Sequence, residues 1–172
     1  MADTALRLDG YLPYRLSVAS NAVSRLIARA YEDRFGLTIP QWRLMAVLGE
    51  HGPLTQQAIG VRTVMDKVTV SRASQGLVKR RLVQRAPHDA DGRSHHLTLS
   101  KAGERLYSEV APVALEYEAR LLESFDPAAI EELKRVLRHL ERAAELLLET
   151  RGGQRGGEPG GAAAGVVEGD AG

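Results

Sequence analysis

Three features of the sequence predict a mainly α fold with one small β-hairpin. Apolar residues recur at helical spacing along most of the 172 residues, one pair of strand-like segments interrupts them, and positive charge gathers around that pair. The order of elements is that of a winged helix-turn-helix, flanked by long N- and C-terminal helices suited to joining two chains. From Pro13 to Arg34, Leu16, Ala19, Val23, Leu26, Ile27 and Ala30 share one helical face, and Gly36 is placed to end the helix. Pro40 stands where a helix favours its first residue. Trp42, Leu44, Met45, Val47 and Leu48 follow it before Gly49 and Gly52-Pro53 stop a short second helix. Thr55 is an N-cap for a third helix, Gln56 to about Val61, and Asp66 for a fourth, Lys67 to Arg80.

The period then changes. Leu82 to Arg85 and His95 to Leu99 have strand character, and the Pro87 to Gly92 stretch between them is dense in turn residues. Ser100 can cap a fifth helix carrying Leu106, Val110, Val113, Tyr117, Leu121 and Phe125, with Pro112 expected to kink it. Asp126-Pro127 opens a last helix in which Ile130, Leu133, Leu137, Leu140, Ala144 and Leu147 step by threes and fours, a heptad seam. From 151 to 172 glycine dominates and no apolar period survives, so that stretch is expected to be a disordered tail. The expected organisation is a flexible start over 1–11 and one domain over 12–150. Within it the reading head spans about 54–99, and the dimerisation helices span about 13–34 and 100–149.

Composition narrows the function. Hydrophobic residues form 44% of the chain and charged residues 26%, enough to bury a core. There is no cysteine, which excludes disulfides, thiolate zinc sites and thiol-based redox sensing. Without an apolar leader or a run of about 18 apolar residues, the expected address is cytoplasmic, with no membrane partner. The net charge is only +1, yet between Arg62 and His96 eight arginines and lysines face three aspartates. A local patch of this kind is hidden by the global average.

A helix fits the major groove of B-DNA, and a cationic hairpin tip can follow the backbone into the next minor groove. On the fourth helix Val70, Ala73, Ser74 and Leu77 fall on one face, suited to packing. Lys67, Thr69, Ser71, Arg72, Gln75 and Lys79 point the other way. Arginine pairs with guanine and glutamine with adenine, while serine, threonine and lysine reach phosphates or base edges. Such a face also describes the solvated side of an ordinary amphipathic helix. At the hairpin tip Arg93 suits a narrow, negatively charged groove and Asp91 is placed to hold it, while Asp89 fits an ordinary turn equally well.

These residues resemble the MarR (multiple antibiotic resistance regulator) family. The likeness rests on Thr69-Val70-Ser71-Arg72, Leu82-Val83, Asp91-Gly92-Arg93 and Leu99-Ser100-Lys101-Ala102-Gly103, with Leu54 to Ile59 similar to the family's third helix. In helix order and length it extends from about Leu12 to Glu149. The resemblance implies a homodimer of winged helix-turn-helix subunits on double-stranded DNA, with Thr55 and Arg81 joining the contact face and Arg93 in the minor groove. Arg81 stands where family members often carry glycine, so either the helix ends differently or Arg81 is kept for a phosphate contact. The resemblance also implies a small-molecule effector, in a cleft lined by the first, second and fifth helices. Candidates there are Arg15, Asn21, Trp42, Arg43 and His51, the arginines suited to a carboxylate and Trp42 to an aromatic ring. Each has a plainer role open to it, Trp42 in the core and the arginines as surface charges.

The heptad seam and the first helix serve either a dimer interface or burial within one chain. His95 and His96 are adjacent on a strand and face opposite ways, and His51, His88 and His139 are scattered, so no metal site or cofactor is expected. No catalytic motif stands out and no enzyme activity is expected. The sequence favours a ligand-responsive repressor on a pseudo-palindromic operator. An activator or architectural factor without an effector is the alternative, and an adaptor for RNA or an acidic protein comes after it.

Overall fold

A computed structural model describes residues 5–87 and 95–154. It divides into two units, Met1–Leu121 and Leu122–Gly172, where the sequence suggested one domain over 12–150. A 3-10 turn, Leu8–Gly10, lies within the start expected to be flexible, and helix α1, Leu12–Phe35, follows it. Gly36 ends α1 in the left-handed conformation (φ 61°), its N–H reaching back to the carbonyls of Tyr31 and Glu32. Helix α2, Ile39–His51, opens on a reciprocal cap. The Thr38 hydroxyl accepts from the Gln41 backbone at 3.4 Å, and the Gln41 side chain accepts from the Thr38 N–H at 3.1 Å.

Helices α3, Gln56–Thr63, and α4, Lys67–Lys79, follow a two-residue strand β1, Leu54–Thr55. The hairpin strands are β2, Val83–Pro87, and β3, His95–Leu99, paired from Val83 opposite Leu99 to Pro87 opposite His95. Strand β1 joins the free edge of β3, with Leu54 opposite Leu97, so the expected hairpin is a three-stranded sheet in the order β1-β3-β2. Two residues are too few to show alternation, which is why the sequence does not announce β1. The core lies where these elements meet. Leu37, Leu44, Met45, Ile59, Val70, Leu77, Val83, Leu97 and Val110 are almost wholly buried, with Tyr31 among them.

Helix α5, Lys101–Leu122, runs through Pro112 without ending and stops short of Phe125, which the sequence assigned to it. Its start is locked to the exit of α4. The Ser100 hydroxyl accepts from the Gly103 N–H at 3.1 Å and donates to the Arg81 carbonyl at 2.7 Å. The Ser100 N–H bonds the Leu82 carbonyl at 3.0 Å. A β-carbon on Gly103 would lie 2.0 Å from that same Leu82 oxygen, so only glycine fits there.

In the second unit, helix α6, Pro127–Gln154, is capped by Asp126, whose carboxylate accepts from the Ala128 N–H at 2.8 Å. Its backbone continues past 151, four residues into the stretch expected to be disordered; residues 155–172 are not among those described. Of the heptad seam only Ile130 and Leu140 are half-buried, while Leu133, Leu137, Ala144 and Leu147 are exposed in the single chain. No described helix is long and apolar enough to cross a membrane.

The junction after α4 settles the question raised by Arg81. The Leu82 N–H bonds the Leu77 carbonyl and the Arg81 N–H bonds that of Val78, a Schellman ending that needs a left-handed residue at position 81. Arg81 supplies it at φ 58° and bears the strain that glycine would avoid. Arg81→Gly should therefore raise stability by about 0.5–1 kcal/mol, the relief of strain exceeding the added freedom of the unfolded chain. Urea unfolding checks this, and an unchanged or lower midpoint would contradict it.

Candidate nucleic-acid interface

Helix α4 has one face in the core and one in solvent, divided as its sequence demands. Val70, Ala73, Ser74 and Leu77 are buried, and Arg72, Gln75 and Lys79 are exposed. Ser74, 1% exposed, is the buried polar residue of this packing. Its hydroxyl donates to the Ser71 carbonyl at 2.9 Å and accepts from the Gln56 amide at 3.2 Å. This bond spans α3 and α4 and so sets how one lies against the other. Gly76 serves the opposite contact, where a β-carbon would come within 2.6 Å of the Gln41 amide on α2.

Two of the residues expected to face outward are turned to the helix itself. The Thr69 hydroxyl donates to Asp66 at 2.6 Å and its N–H donates to the same carboxylate at 2.9 Å, so Thr69 completes the α4 cap. The Thr55 hydroxyl likewise caps α3, accepting from the Ala58 N–H at 3.1 Å. Ser71 is half-buried and accepts from the Gln75 amide at 3.2 Å. Lys67 and Arg81 are exposed, as is Arg85 on β2. Arg93, Asp91 and Asp89 lie outside the described residues.

The sequence passed over three residues of this face. Val68 is 57% exposed in the first turn of α4, in line with Arg72, Gln75 and Lys79; a valine reads as core, which hid it. Val64, in the turn between α3 and α4, has φ 52° and is 93% exposed, and nothing in the sequence signalled a left-handed β-branched residue there. Arg80 is used for structure: its guanidinium donates to the carbonyls of Gly36 at 2.7 Å and Phe35 at 3.0 Å, binding the end of α4 to the end of α1.

The five effector candidates are spread over two helices, α1 and α2. Arg15 and Asn21 are exposed on the first turns of α1, where every side chain from Tyr11 to Ala22 is exposed, and Arg43 is exposed on α2. Trp42 is half-buried between Tyr31 (ring centroids 5.3 Å apart) and Tyr107 (5.8 Å), so it is part of an aromatic stack. His51 faces Arg62, its ring nitrogen 3.3 Å from the guanidinium. A cavity of about 270 Å³ between α1 and α5 is instead lined by Leu26, Arg29, Ala30, Asp33, Arg34, Val113 and Tyr117.

The Thr69 hydroxyl, with its backbone N–H, holds the Asp66 carboxyl below its ordinary pKa. The α4 cap is thus fully in force above the unfolded pKa, about 3.9, and is lost as pH falls through the lower folded value. An NMR titration should show Asp66 protonating below that value with the first turn of α4 fraying in step. Titration at or above it would refute the cap.

The sequence pattern of the MarR family matches residues 35–94. The uncharacterized HTH-type transcriptional regulator YwoH of Bacillus subtilis is 32% identical over 108 residues, 61% of this chain and 78% of that protein. A probable transcriptional regulator from Pseudomonas aeruginosa, of known structure, is 33% identical with a TM-score of 0.69, over 78% of this chain and 99% of that one. The MarR/EmrR family transcriptional regulator from Acinetobacter sp. ADP1 gives a TM-score of 0.77 at 26% identity, over 82% of this chain and 99% of that one.

Proposed function

This chain belongs to the MarR family of transcriptional regulators, and on that basis we propose that it is a cytoplasmic, homodimeric repressor of transcription. It occupies a pseudo-palindromic operator in double-stranded DNA and leaves it when a small molecule binds. The observation that carries the reading is the exposed row Arg72, Gln75 and Lys79 on α4, aimed outward by burial of Val70, Ala73 and Leu77 behind it. Arginine and glutamine supply the paired donors and acceptors that base edges require, and Lys79 with Arg81 and Arg85 supplies phosphate charge. The family resemblance further implies that Arg93 enters a minor groove.

Repression has support from IacR of Pseudomonas putida, named as an HTH-type transcriptional repressor and 23% identical over 104 residues. Proteins sharing the fold at 21% identity include MepR of Staphylococcus aureus, solved with DNA, and BpsR of Bordetella bronchiseptica, whose DNA binding is regulated by 6-hydroxynicotinic acid. A second copy would cover the leucines of α6, of which Leu133 is 49% and Leu147 69% exposed. For an effector, the cavity holding Arg29, Arg34 and Tyr117 offers a guanidinium for a carboxylate and an apolar wall for a ring. That chemistry matches a small aromatic acid.

Capture of genomic fragments by the full-length protein tests the reading. Affinity for an enriched fragment should fall steeply with salt as counterions are released, and fall again on adding the effector. Arg72→Ala should weaken operator binding by about 1–3 kcal/mol and relax base preference, whereas Lys79→Ala should weaken all duplexes about equally. A monomer that ignores duplex DNA in dilute buffer would overturn the proposal. Effector-blind binding would favour an activator or architectural factor.

A further inference from the structure

Lys67, Val68, Arg72, Gln75 and Lys79 are the exposed residues of α4, and Val68 is the one apolar side chain among them. It stands four residues before Arg72 and seven before Gln75, so all three lie along one stripe of the helix. Val68 does no work in the fold: it neither belongs to the core nor packs against it, and it is 57% exposed. Valine is also a poor choice for an exposed helical position, since its branched side chain loses freedom there without burying anything. The neighbouring positions of the stripe carry the polar residues expected of a solvated face.

A helix entering the major groove leads with its N-terminal residues, and Val68 is in the first turn. Base edges in that groove are hydrogen-bonding groups, with a single apolar exception, the methyl group on C5 of thymine. We propose that Val68 is a specificity-determining residue that packs against a pyrimidine C5-methyl group, that of a thymine, at the position adjoining the base read by Arg72. The inference rests on the DNA-binding reading above and adds to it one base preference that hydrogen bonding does not supply. Because valine is held in few rotamers, the contact costs little side-chain entropy.

Thymine differs from uracil by that methyl group alone, which makes the test direct. Duplexes selected by the full-length protein from a random library are resynthesised with deoxyuridine for thymidine one position at a time, and with 5-methyldeoxycytidine for deoxycytidine. Burying one methyl-sized group corresponds to about fourfold in affinity, so wild-type protein should bind about fourfold more weakly when the contacted thymine of one half-site loses its methyl. Val68→Ala should bind the thymine and uracil duplexes alike, and, because the residue is exposed, should melt with the wild type. Tolerance of uracil at every position, or a fourfold gap that persists in Val68→Ala, would overturn the inference while leaving DNA binding intact. If methylation of a cytosine tightens binding and loss of thymine methyls has no effect, the thymine assignment is overturned in favour of methylated cytosine. If the random library yields no bound duplex, the DNA-binding reading itself fails and this inference with it.

Discussion

Burial of Val70, Ala73 and Leu77 against the core fixes the direction of everything that α4 presents to solvent. A helix has one circumference, and the apolar third given to the interior determines which residues remain outside. Ser74 sharpens this division. A hydroxyl almost wholly removed from water must find partners, and those available are the Ser71 carbonyl and the Gln56 amide on α3. Rotating or sliding α4 would strand that hydroxyl as well as expose apolar surface, so packing and hydrogen bonding penalise the same movements. The row of Arg72, Gln75 and Lys79 inherits its aim from both.

The two ends of α4 show how side chains were kept at the expense of backbone comfort. Val64 before the helix and Arg81 after it are the two non-glycine residues with positive φ among the described residues. Each occupies a conformation in which glycine would be at ease. At the later end the Schellman bonds, the Ser100 hydroxyl and the close approach of Gly103 to the Leu82 carbonyl together hold Arg81 where it is. Strain of this kind persists because its surroundings over-determine it. The short stretch from Leu99 to Gly103 thus does three tasks: it ends a strand, caps α5 and clamps the exit of α4.

Most of this architecture was legible in the sequence because its signals are local. Thr55, Asp66, Ser100 and Asp126 cap helices as their residue types suggest, and the buried stripe of α4 follows from spacing alone. What escaped was set by tertiary contact. The strand β1 exists because β3 offers it an edge, and no two-residue pattern could show that. One local bond escaped as well, that of the Thr69 hydroxyl to Asp66. Trp42, open to either a ligand or the core, stacks between Tyr31 and Tyr107, and Val68, which the spacing left unassigned, is turned outward. Sequence assigns a residue to a face; only the neighbours decide whether that face is vacant.

The guanidinium of Arg80 gives α1 and α4 a shared endpoint, since its two bonds reach carbonyls at the very close of the first helix. Leu37, fully buried one residue beyond, seats the same corner in the interior. Neither helix end can shift against the other without breaking those two bonds or carrying its neighbour along.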